Sequence, residues 1–162
     1  MFEEFMGIPA HPLLVHAAVV FAPLLIIAVF CYALAPMSRA RIGWILVALA
    51  IVAPLTLWFA KLSGDAFRAR MVARNATSPE LLAIIDNHRG YGELAAWWGT
   101  ALGLLALGLF YLLWTAGKRP AVDGAKIVQY GLIAVTMVIA VVTGYYVFKT
   151  CDTGAKAVWT GQ

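Results

Sequence analysis

Charged side chains are scarce in this sequence. Only 12% of its 162 residues are Asp, Glu, Lys or Arg, whereas a soluble domain carries about 25%. The deficit is concentrated in four stretches that contain no charge at all, at residues 13–34, 42–60, 94–114 and 127–148. The shortage excludes a soluble globular enzyme and a disordered chain.

Cysteine is also rare, since the chain has only Cys31 and Cys151. A disulfide-rich secreted domain is therefore excluded. Cys31 lies roughly 27 Å along the first stretch if that stretch is helical, and Cys151 follows the fourth on the other side. We expect no disulfide and interpret Cys31 as a small core residue. No Cys-x-x-Cys-His motif is present, so covalent c-type haem is excluded. The sequence has no run of basic and aromatic residues of the kind that binds nucleic acids, so we expect no nucleic-acid partner.

The four uncharged stretches have the length of membrane helices. A helix needs about 20 apolar residues to cross the hydrocarbon core, and helices satisfy their own backbone groups in lipid. The sequence therefore predicts an all-α integral membrane four-helix bundle in the lipid bilayer. Residues 1–162 form one membrane domain, and residues 61–93 form a helical, amphipathic outer loop.

Basic residues are divided unequally between the two sides of this bundle. The short connections, residues 35–41 and 115–126, hold five basic residues and one acidic residue. The other side comprises both termini and residues 61–93. It holds seven basic and seven acidic residues. Because cytoplasmic loops are enriched in Lys and Arg, we expect the short connections to be cytoplasmic and both termini extracytoplasmic.

The outer loop contains two patterns typical of helices. Ser78-Pro79-Glu80 is a helix start, and the residues after it place one apolar face inward: Leu81, Ile84, Ile85 and His88. Residues 62–74 carry arginines between apolar residues and are interpreted as a helix on the outer membrane surface. Glycines at 90 and 92 leave open whether the later helix continues into the third span.

Small residues suggest how the helices pack. Gly99 and Gly103 have the spacing that lets membrane helices approach closely. This spacing fits packing inside one chain, a homo-oligomer or contact with other membrane subunits. A duplication of the two hairpins is conceivable, but the sequence shows no matching residues that support it.

Polar residues collect on the predicted outer side, where we expect any function to lie. All three histidines belong to it: His11, His16 and His88. The same side holds Asp65, Asp86, Glu93, Cys151 and Asp152.

Haem b is one ligand that this cluster could bind, because it needs two imidazoles on different helices. At about 1.5 Å per residue, His16 lies roughly 4.5 Å inside its span and His88 roughly 9 Å outside its own. His11, about 3 Å outside, matches His88 better in depth. A metal ion held by His11, His16, His88 and Asp152 is the alternative. In a third interpretation, His16 and His88 form hydrogen bonds with each other, with a backbone carbonyl or with the carboxylates of the loop.

The sequence also resembles a known family. Residues 7–16 read GIPAHPLLVH, and the resemblance extends through the His88 segment to TGAKAVW at residues 153–159. These segments resemble the bacterial membrane proteins grouped as domain-of-unknown-function family 2231. The resemblance implies four membrane helices, a bacterial cytoplasmic membrane and no settled activity. It also implies a candidate b-type haem at His11, His16 and His88. Many members carry a histidine where this chain has Asp152.

Three functions are compatible with these features. The first is a non-catalytic accessory or electron-transfer-linked subunit whose outer histidines bind haem b or a metal. The second is a purely structural bundle whose histidines tie down the outer loop. The third, which is less favoured because no nucleophile–base arrangement stands out, is a membrane enzyme acting on a lipid or quinone.

Overall fold

Four long helices make up most of the protein. The computed structural model describes residues 4, 5, 7–116 and 123–159. The helices are α1 (Ala10–Leu34), α2 (Arg39–Ala73), α3 (Pro79–Ala116) and α4 (Asp123–Trp159). Each is long and apolar enough to cross a membrane. The predicted all-α membrane bundle is confirmed.

Short elements precede and connect these helices. Strands β1 (Glu4–Phe5) and β2 (Ile8–Pro9) form an antiparallel pair just before α1. A single 3-10 turn, Pro36–Ser38, joins α1 to α2. Lys118 and Arg119, two of the basic residues that predict the orientation, lie outside the described residues.

The helices pair as two hairpins, α1 with α2 and α3 with α4. The hairpins meet where α2 packs on α3 and where α1 packs on α4. Helices α1 and α3 lie diagonally across the bundle and make few contacts. Gly103 faces α2 so closely that a Cβ there would lie 2.5 Å from the carbonyl oxygen of Ala50. The Gly99 and Gly103 pair thus serves packing within the chain.

The predicted outer loop is mostly a continuation of two membrane helices. Helix α2 continues beyond Ala60 to Ala73, and α3 begins at Pro79, so only residues 74–78 are non-helical between them. Residues 62–73 are helical, as expected, but they continue α2 instead of forming a helix of their own. The charged residues after Ala60 mark the end of the apolar stretch of α2. They do not mark the end of the helix, because a helix can continue from an apolar environment into water.

The pattern predicted for the start of α3 is confirmed. The Oγ of Ser78 accepts a hydrogen bond from the backbone N–H of Leu81 at 3.2 Å, as a helix N-cap does. The face made by residues 81, 84, 85 and 88 is partly buried, whereas residues 83, 86 and 87 are exposed. Helix α3 is continuous through residues 90 and 92. His88 consequently points toward the bundle.

Both cysteines are free and lie on the outside of the bundle. The interpretation of Cys31 as a core residue is wrong. A membrane helix is apolar on its lipid face as well as on its packed face, so an apolar run does not reveal which face a small residue occupies.

Candidate functional site

His11, in the first turn of α1, reaches across to α2. Its Nδ1 lies 2.9 Å from the carbonyl oxygen of Ala60 and 3.2 Å from the Oγ of Ser63. A carbonyl oxygen can only accept a hydrogen bond, so Nδ1 carries a proton and donates it. The Ser63 hydroxyl donates to the same carbonyl at 2.9 Å. A Cβ on Gly64 would lie 3.0 Å from the Cε1 of His11, so the imidazole packs on bare backbone.

His88, in the third turn of α3, makes the corresponding contacts with α4. Its Nδ1 lies 3.0 Å from the carbonyl oxygen of Thr150 and 3.3 Å from the Oγ1 of Thr153. The Thr153 hydroxyl donates to the carbonyl of Lys149 at 2.8 Å. A Cβ on Gly154 would lie 3.0 Å from the Cε1 of His88. This ring also carries its proton on Nδ1.

The two imidazoles are neighbours at the end of the bundle where α1 begins. The ring centroids of His11 and His88 are 6.2 Å apart, and the ring planes meet at 68°. Neither Nε2 has a hydrogen-bond partner within the part of the chain that the structure describes. Neither Nε2 is fully sealed from solvent. Two imidazoles, one from each hairpin, therefore lie close together with an Nε2 that has no partner among the described residues.

Burial keeps both rings neutral near pH 7. His11 and His88 lie outside the uncharged stretches, in the part of the bundle beyond the apolar core. Burial lowers the pKa of His11 against the opposing effect of its hydrogen bond to Ala60, and the nearby His88 lowers it further. Burial likewise lowers the pKa of His88 more than its hydrogen bond to Thr150 raises it.

These pKa shifts predict that the fold loses stability on mild acidification. The unfolded chain binds protons at His11 and His88 as the pH falls through about 6.5, whereas the folded protein binds them only at lower pH. Unfolding therefore takes up protons in that interval, and the free energy of unfolding decreases as the pH drops. Equilibrium unfolding in detergent between pH 7.5 and 5.5 measures this decrease. A double variant, His11→Gln with His88→Gln, should lose most of it, and a wild type stabilised by acid would contradict the prediction.

Ion pairs join the parts of α2 and α3 that lie beyond their uncharged stretches. Asp65 accepts hydrogen bonds from Lys61 at 2.7 Å and from Arg89 at 2.6 Å. Arg68 donates to Asp86, with its NH2 group 2.9 Å from Oδ2. Burial alone would raise the pKa of Asp65, but the hydrogen bonds from Arg89 and Lys61 outweigh it, so that pKa lies below its usual value. Asp65 and Asp86 therefore act as helix-to-helix contacts.

The other candidate residues are not part of the imidazole pair. His16 is exposed, and its Nδ1 lies 2.6 Å from the carbonyl oxygen of Pro12 on its own helix. Asp152 is paired with Lys156 at 2.9 Å. Cys151 is exposed, and Glu93 lies one turn after Arg89 on α3. Among the described residues, no three His, Cys, Asp or Glu side chains are grouped as a metal site.

Four residues of the site were not predicted from the sequence: Ser63, Gly64, Thr153 and Gly154. Serine and glycine are common in turns and helix caps, yet Ser63 and Gly64 both lie within α2. A signal was available, because a hydroxyl residue followed by glycine occurs shortly after the second and the fourth uncharged stretch.

Comparison with protein families agrees with this architecture. The family model described as predicted membrane protein (DUF2231) matches residues 7–162. The chain belongs to this family. No curated protein and no solved structure matches the chain.

Proposed function

We propose that this DUF2231 protein is a non-catalytic, electron-transfer-linked membrane subunit that binds a b-type haem through His11 and His88. The observation that carries the proposal is the pair of neighbouring imidazoles, each with Nδ1 hydrogen-bonded to a backbone carbonyl and with no hydrogen-bond partner for Nε2 among the described residues. Such a hydrogen bond fixes the tautomer and the orientation of a metal-ligating histidine.

The number of donors favours haem over a simple metal ion. Haem brings four nitrogen ligands of its own, so the protein would have to supply only one or two more. A structural zinc site needs four protein ligands, and the described residues gather only two imidazoles here. The four-ligand alternative of His11, His16, His88 and Asp152 has less support, because His16 and Asp152 have other partners.

The spacing of the two rings also fits a shared iron atom. The ring centroids of His11 and His88 are 6.2 Å apart, so both residues would be close enough to hold one haem iron. The two rings belong to helices α1 and α3, which lie diagonally and make few contacts. When bound, haem supplies one-electron redox chemistry. His11 and His88 would hold the haem, and the contacts of their rings with α2 and α4 would orient them and limit their exposure to water.

The distribution of charge supports an outer location for this site. With the basic short connections in the cytoplasm, His11 and His88 lie at the extracytoplasmic end of a protein with both termini outside. The bacterial cytoplasmic membrane is the proposed location, and other membrane subunits are the proposed electron-transfer partners.

Titration of the purified protein with haemin in detergent tests the proposal. We expect saturation at one haem per chain and the absorption spectrum of six-coordinate, low-spin haem in both oxidation states. A spectrum identical to that of haemin in empty micelles would overturn the proposal. So would five-coordinate haem, or binding of zinc or copper ions without haem.

A purely structural role is the second candidate, because His11 and His88 each link the two helices of one hairpin. It would be favoured if the protein binds neither haemin nor metal ions while it remains fully helical. The membrane-enzyme alternative has no comparable observation in its favour.

A further inference from the structure

We infer that the chain is an internal two-fold repeat, and that Ser63 with Gly64 and Thr153 with Gly154 are equivalent residues that position the two imidazoles. In each half, the ring meets a carbonyl at one position, a hydroxyl three residues later and a glycine four residues later. In α2 these positions are 60, 63 and 64; in α4 they are 150, 153 and 154.

The equivalence extends along α2 and α4. A shift of 90 residues relates the two contact sets and also relates the buried positions of the two helices. The buried residues of α2 at 46, 50, 53 and 57 correspond to those of α4 at 136, 140, 143 and 147, and all eight are less than 10% exposed. Because side-chain types differ at most of these pairs, the sequence alone does not reveal the match.

Helices α1 and α3 show a second constant shift. His88 follows His11 by 77 residues, and the same shift relates three further buried positions of α1 to three of α3. These pairs are Ala18 with Ala95, Ala22 with Gly99 and Leu25 with Leu102. Both imidazoles thus occupy the same position relative to the core of their own hairpin.

The two contacts between hairpins use equivalent positions, but the side chains at these positions differ in size. Gly103 of α3 faces Pro54 and Ala50 of α2. At the corresponding position of the other contact, the bulkier Ile26 of α1 faces Gly144 of α4, where a Cβ would lie 3.5 Å from the Ile26 Cδ1. The contact between α1 and α4 leaves an open apolar groove of about 370 Å³ beside Ile26 and Gly144. The halves have therefore diverged at their packing surfaces while the two histidine contact sets remain alike.

This likeness assigns a role to the glycines and hydroxyls. Each glycine lets a ring approach the helix backbone, and each hydroxyl lies beside the Nδ1 proton. Together they fix which nitrogen is protonated and where Nε2 is presented. The idea that the two Nε2 atoms bind a ligand rests on the proposed function. The equivalence of the two contact sets is independent of that function.

Nitrogen-15 NMR of ligand-free protein with labelled histidine in detergent tests the inference. The chain has only three histidines, and His16→Ala identifies the third. We expect Nδ1-protonated, Nε2-unprotonated rings for both His11 and His88. Gly64→Ala should shift the ring signals of His11 only, and Gly154→Ala those of His88 only, by similar amounts.

Gly90→Ala is the matched control, because a Cβ at that α3 position meets no atom within 4 Å; it should shift neither ring. If either glycine variant fails to fold, Ser63→Ala and Thr153→Ala provide the same test. Unequal responses, or an Nε2-protonated wild-type ring, would overturn the inference. If the ring signals shift as expected but the protein does not bind haemin, only the proposed function is rejected. If the protein binds haemin but the two glycine variants shift the ring signals unequally, only the inference is rejected.

Discussion

Replacing either His11 or His88 with alanine is expected to lower the affinity for haemin by at least about 100-fold. Loss of a residue that merely orients a metal ligand costs about 10–100-fold, and loss of an axial ligand removes a bond to the iron. The two variants should be equally affected, because each supplies one of two equivalent nitrogens. Haemin titration followed by absorption spectroscopy measures the loss.

His16→Ala is the control for this pair of variants. His16 is exposed and bonded to its own helix, so its removal should leave haemin affinity and the low-spin spectrum unchanged. Each site variant loses hydrogen bonding worth about 0.5–1.5 kcal/mol and should stay folded, as circular dichroism can verify. Binding that survives His88→Ala but is lost in His16→Ala would move the site away from the bundle axis.

Replacing Gly103 with alanine is expected to lower the free energy of unfolding by about 1–3 kcal/mol. The new Cβ would lie 2.5 Å from the carbonyl oxygen of Ala50 and 2.8 Å from the Cγ of Pro54. Backbone and a proline ring cannot rotate away, so α2 and α3 must separate. Equilibrium unfolding in mixed detergent and sodium dodecyl sulfate micelles measures the change.

Two neighbouring glycines on α3 provide matched controls. Gly99→Ala meets only the terminal Cδ1 of Leu57, which can move by side-chain rotation, so its cost should be smaller. Gly108→Ala meets no atom within 4 Å and should not destabilise the protein, since alanine is the better helix former. Equal stability of Gly103→Ala and Gly108→Ala would show that the contact between α2 and α3 is looser than described.

The membrane fold could be predicted because one physical requirement dominates it. Charge is excluded from the hydrocarbon core, so uncharged stretches mark the spans directly. The inward orientation of His88 followed in the same way from apolar positions three and four residues apart. Neither inference requires knowledge of a distant residue.

The missed features depend on information that local sequence does not carry. Ser63-Gly64 has the residue types of a turn, and only His11, 49 residues away, gives it another use. Cys31 could not be placed, because lipid and protein core are both apolar. The continuation of α2 could not be predicted for a related reason: charges at Lys61 and Asp65 indicate water, and water is compatible with a continuing helix.

His11 and His88 belong to different hairpins, so binding of one ligand to both imidazoles would strengthen the association of the two hairpins. Helices α1 and α4 pack loosely around their apolar groove, whereas a ligand held by both His11 and His88 connects the hairpins directly. Anything that binds only the assembled pair stabilises it by mass action, by about 2.7 kcal/mol at a free concentration one hundred times the Kd. A bound ligand would then hold the two hairpins together reversibly, and the stability of the bundle would rise with the concentration of free ligand.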